Sequence, residues 1–160
     1  MTEHVTDLTE LQINDVRPVS RSEPMSEPVK ARWLAALRGG KYRQTQRFLN
    51  VTDSGHCCLG VLCDLAVADG IGAWVRVLEK HAESDVLGWK ENTQTFAEFR
   101  TLPRVVGALA GLSDEVGSLF LHGVQEHDGH PGDYESVALT GLNDDGLTFS
   151  QIADLIEFWL

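Results

Sequence analysis

Residues 56–70 read HCCLGVLCDLAVADG, an almost wholly apolar stretch closed by glycine. Strands are usually about five or six residues long, so a run of this length predicts a buried helix near residues 57–68. Gly60 costs about 1 kcal/mol against Ala inside a helix, and its presence there predicts that another backbone passes close by. Cys57, Cys58 and Cys63 read as small buried hydrophobes, since free cysteine is among the most buried residue types.

Upstream, the turn signal NVTDSG (50–55) is preceded by KYRQTQRF (41–48). Strict alternation would place Lys41, Arg43, Thr45 and Arg47 on one face of a short strand and Tyr42, Gln44, Gln46 and Phe48 on the other. Further upstream, Ser26 stands where a helix cap belongs, with Glu27 and Pro28 in the first turn. Val29, Trp33, Ala36 and Leu37 then form one apolar stripe, which Gly39-Gly40 ends. Residues 1–25 hold only scattered apolar positions and read as a mobile arm before a single compact domain over 26–160.

Downstream, AWVRVL (73–78) and DVLGW (85–89) read as short strands of a hairpin or as an irregular excursion, and TFAEFR (95–100) as the opening of a helical turn. Pro103 opens a helix through RVVGALA (104–110) that stops at Gly111. Ser113 with Asp114 and Glu115 predicts another through SLFL (118–121), and HGVQEHDGHPGDYES (122–136) reads as a polar loop. Thr148 and Gln151 make a capping box, with Leu147 and Ile152 as its hydrophobic staple, so a helix is expected over 149–159. Its Asp154 and Glu157 point outward. The fold class expected is α+β: four or five helices packed with a small antiparallel sheet that includes residues 41–48.

A chain of 160 residues buries roughly 70 % of its unfolded surface without staples. Its net charge of −11 argues against nonspecific nucleic-acid or anionic-membrane binding. The charge is segregated: residues 29–47 carry six bases and no acid, whereas residues 105–160 carry ten acids and no Lys or Arg. Either the basic segment lies against the acidic last third, or it forms a strip facing an anionic ligand, with Lys41, Arg43 and Arg47 extended by Arg38. Three clustered cysteines and no basic-then-apolar leader read as a reduced, cytoplasmic chain.

Catalysis has one candidate. Cys57 or Cys58 at a helix N-terminus would have its thiolate favoured by the helix dipole, and Gln44 would serve as an oxyanion donor. No general base is presented, because His81, His122, His127 and His130 lie in no recognisable motif. A zinc site from the three cysteines with His122, His127 or His130 has poor spacing. Aligning Gly146 with the glycine of a calcium loop puts Gly141 at the first ligand and Ile152 at the glutamate, so that reading fails, and Asn143, Asp144 and Asp145 are expected in a turn. No metal or cofactor is implied.

The residues WLAALRGGKYRQ (33–44), CCLGVLCDLA (57–66) and LNDDGLTFSQIADLIE (142–157) resemble a family of small uncharacterised bacteriophage and actinobacterial (prophage) proteins. The resemblance spans residues 33–158 and carries over no catalytic residue. It implies an intracellular accessory protein of phage type. Combined with the charge pattern, the expectation is a non-enzymatic protein that binds a host or phage macromolecule, or a small anionic ligand such as a nucleotide. A cysteine-dependent enzyme and a structural virion component tethered by the arm are the alternatives.

Overall fold

The apolar stretch forms a helix over Cys58–Ala68 (α2), capped by the Cys57 sulfur, which accepts from the Gly60 amide at 3.4 Å. In the computed structural model the described residues are 17–18, 25–79, 84–91, 96–112, 118–122 and 134–160. Cys58, Leu59, Val61 and Cys63 are wholly buried, so α2 is the axis of the main core. The close approach expected at Gly60 is present: a Cβ there would overlap the Leu49 carbonyl.

A helix over Glu27–Arg38 (α1) packs Trp33, Leu34 and Leu37 into this core, and the Trp33 indole donates to the Cys58 carbonyl at 2.9 Å. Ser26 is its N-cap but makes no side-chain cap bond. Its start is held instead by the Ser26 amide, which donates to the Ala110 carbonyl at 2.8 Å. Met25, placed with the arm on sequence grounds, is buried at 1 % exposure, so the packed region begins one residue earlier. The rest of the arm lies outside the described residues except Arg17–Pro18 (β1).

Asn50–Val51 (β2), Gly55–His56 (β3), Ala73–Val77 (β4) and Val86–Lys90 (β5) form an antiparallel sheet in the order β3-β2-β5-β4. The hairpin expected over 73–89 is its β4–β5 pair. Pro103 precedes a helix over Arg104–Ala110 (α3), which ends on Gly111 at φ 78°, a left-handed C-cap that glycine takes without strain. Ser118–His122 (β6) pairs with β1 and with Tyr134–Ala138 (β7) in a second sheet, order β1-β6-β7. Leu139–Asp144 (α4) and Phe149–Trp159 (α5) close the chain, α5 carrying the capping box in full. The fold is α+β, with five helices among the described residues.

Four local expectations are corrected. Residues 41–48 are no strand: only Gln44 bridges His56, and Arg47 at φ 77° turns the chain out of extended geometry. Residues 96–100 form no helical turn, because Trp89 and Glu98 exchange backbone bonds at 2.7 and 2.9 Å. SLFL (118–121) is a strand rather than a helix, since it pairs with 134–138, a strand that overlaps the end of the stretch 122–136 read as a loop; residues 113–117 and 123–133 lie outside the described residues. Asn143 and Asp144 sit in the last turn of α4 rather than in an open turn, with Asp145 as its C-cap.

Candidate anion-binding site

The segment 41–48 owes its path to Asn143, which is 0 % exposed. Its Oδ1 accepts from Gln44 Nε2 at 2.9 Å and from the Cys58 amide at 3.1 Å. Its Nδ2 donates to the Thr45 carbonyl at 2.8 Å. Gln44 also donates to the Leu147 carbonyl at 2.8 Å, so the side chain expected to serve as an oxyanion donor is spent on structure. The Arg43 carbonyl and Thr45 amide bond to the His56 backbone at 2.9 and 2.8 Å. An apolar environment makes an unpaired polar group costly, and here each is paired across three segments.

Past Thr45 the chain turns through Arg47, whose amide donates to Asp144 Oδ1 at 2.8 Å. The left-handed region costs a non-glycine residue roughly 1–3 kcal/mol and is occupied only where surroundings enforce it. Enforcement comes from Asp144 and the Asn143 bonds, and the result is that Arg47 enters a cleft. A second strand of chain reaches the same place. Leu49 donates to the Phe99 carbonyl at 2.8 Å, and Phe48 and Phe99 stack with ring centroids 6.2 Å apart, which delivers Arg100.

Both guanidiniums gather at one ring: Arg47 lies 5.9 Å and Arg100 5.4 Å from the Phe48 centroid. Together with Cys57, Thr101, Thr140 and Asp144 they line a cavity of about 290 Å³. Thr140 and Asp144 stand one turn apart on the same face of α4. Arg100 also meets Glu79 at 3.3 Å, whereas no carboxylate pairs with the Arg47 side chain among the described residues. The Asp144 carboxylate in the same wall and Glu79 on Arg100 offset part of this positive charge, so Arg47 is the cation there that an incoming anion can pair with.

The other cations of the expected strip go elsewhere. Arg38 pairs with Asp154 at 2.7 Å and Glu157 at 3.2 Å on α5, and its guanidinium holds the Glu157 carboxyl below the ordinary range. Arg43 donates to the Asp53 carbonyl at 3.0 Å. Lys41 sits 5.7 Å over the Tyr42 ring. At Arg38 the basic segment does lie against the acidic last third; of the four residues only Arg47 enters the cavity. Arg100 was missed on sequence grounds, because nothing local marks it: its partner is Phe48, brought near by strand pairing.

The thiols are interior. Cys58 and Cys63 are 0 % exposed and Cys57 4 %, and all are free. Burial pushes the Cys57 thiol up to about 11 and the other two well above their ordinary value, which deprives them of the thiolate a nucleophile needs. Cys57 lines the cavity, but no imidazole does among the described residues. His56 instead packs edge-on against Tyr42 and Trp74, and burial lowers its pKa, with the nearby Asp64 opposing. His81, His127, His130 and the side chain of His122 lie outside the described residues. No group of His, Cys, Asp and Glu among the described residues is arranged to hold a metal ion, and no described helix is long and apolar enough to cross a membrane.

Neither the curated proteins nor the solved structures contain a match to the chain. A family model described as a domain of unknown function, DUF8296, matches residues 25–160, a range that starts at the buried Met25 and takes in all four segments of the cleft. The chain belongs to the DUF8296 family.

Proposed function

We propose that this domain is a non-enzymatic binding module that takes an anionic group of its ligand or partner in the cleft between Arg47 and Arg100, and that it serves as an accessory protein of phage or prophage type. The observation that carries the reading is the pair of guanidiniums held at one ring and one cavity, with Arg47 kept there against its backbone preference. A chain of net charge −11 repels anions at long range, so a local pair of cations selects those that fit the cleft. Charge-assisted bonds to guanidinium are roughly twice as strong as neutral ones, and binding through them weakens with salt.

Thermal unfolding at fixed ionic strength tests this. Phosphate at about ten times its dissociation constant stabilises a one-site protein by roughly 1.4 kcal/mol, a rise of about 3–6 °C in Tm for a domain of this size. The rise is expected for the wild type and absent in the Arg47→Ala/Arg100→Ala double variant. An equal rise in both, or none for any anion in the wild type, contradicts the assignment.

A further inference from the structure

The cleft offers more donors than a carboxylate can use. One guanidinium fork satisfies both carboxylate oxygens, yet here two arginines and two hydroxyl-bearing residues, Thr101 and Thr140, line one space. A phosphate monoester, with three terminal oxygens and a charge near −2 above its second pKa of about 6, matches that set. Among the described residues the Thr101 hydroxyl makes only a long bond of 3.4 Å, to Glu98, which a ligand oxygen can replace. The cavity of about 290 Å³ stands near the lower end of the roughly 300–1,000 Å³ typical of small-molecule sites, room for an organic body beside the phosphate.

Asp144 supplies the discriminating feature. A carboxylate in the wall opposes a bound anion, and its Oδ1 already accepts from the Arg47 amide at 2.8 Å. Its second oxygen accepts no hydrogen bond among the described residues. That oxygen is compatible with a phosphate ligand if the ligand's own body donates to it. We propose that the cleft takes a phosphate monoester of a hydroxylated body, with the phosphate between Arg47, Arg100, Thr101 and Thr140 and a ligand hydroxyl on Asp144. This rests on the anion-binding reading above.

Calorimetric titration of the full chain at pH 8 tests it with glycerol 3-phosphate, propyl phosphate, inorganic phosphate and acetate. Glycerol 3-phosphate is expected to bind about 10-fold tighter than propyl phosphate, the worth of one hydrogen bond to a charged group. Arg47→Ala and Arg100→Ala should each weaken it at least about 10-fold. Asp144→Asn keeps an oxygen for the Arg47 amide, so the fold is retained, which an unchanged far-ultraviolet circular dichroism spectrum verifies. In that variant propyl and inorganic phosphate should bind tighter than in the wild type, and the preference for the glycerol ester should fall to within about 2-fold. Arginine-dependent binding with no preference for the glycerol ester, or acetate bound as tightly, overturns the ester assignment and leaves the anion reading standing. A preference that survives Asp144→Asn removes Asp144 from the account. No binding of any of the four to folded wild-type protein overturns both readings.

Discussion

Arg47 is the residue at which local preference and global arrangement disagree. Its φ of 77° suits glycine, and the alternation of charged and neutral residues in KYRQTQRF suits a strand. Neither preference prevails, because Asn143 and Asp144 hold the neighbouring backbone from α4. Residues strained in this way cluster where function requires a fixed side chain. Arg47→Gly should therefore leave stability unchanged or raise it by up to about 1 kcal/mol in urea denaturation while abolishing anion binding. A marked loss of stability would show that the guanidinium is a structural prop. Asn143 itself could not be foreseen in this role: in LNDDG it reads as turn chemistry, and its partners Gln44, Thr45 and Cys58 are far away in sequence.

At the level of elements, what was legible was whatever local physics decides. The capping box fixed the start of α5, Pro103 and Gly111 bracketed α3, and Gly60 signalled the contact with Leu49. A methyl group at Gly60 has only backbone to displace. Gly60→Ala should then cost about 1–3 kcal/mol by overpacking, although alanine is the better helix former; an equal or higher urea midpoint would contradict the contact. What was not legible depends on distant partners. SLFL follows Ser113, Asp114 and Glu115, which imitate a helix start, yet its backbone bonds are met by 134–138. The cleft was half legible for the same reason: the basic segment advertised Arg47, whereas Arg100 arrives through the pairing of Glu98 with Trp89 and of Phe99 with Leu49.

Across the whole molecule, the interior carries the thiols and the exterior carries the charge. Unfolded thiols ionise near 9.0, while folded Cys57 holds its proton to about 11. Between those values the native state keeps protons that the unfolded state has released, so stability is full below about pH 9 and declines as pH rises, by about 1.4 kcal/mol per pH unit for each such thiol. Cys57→Ser keeps a capping oxygen and should remove one thiol's share of the slope between pH 9 and 10; parallel curves for variant and wild type would place Cys57 in water. The exterior account turns on where an anion lands. Amide chemical shifts recorded while inorganic phosphate is added to the full chain should move at Arg47, Cys57, Arg100, Thr101, Thr140 and Asp144 and saturate together. Changes confined to Arg38, Lys41 and Arg43, or a spectrum that does not respond, would contradict a binding site in this cleft.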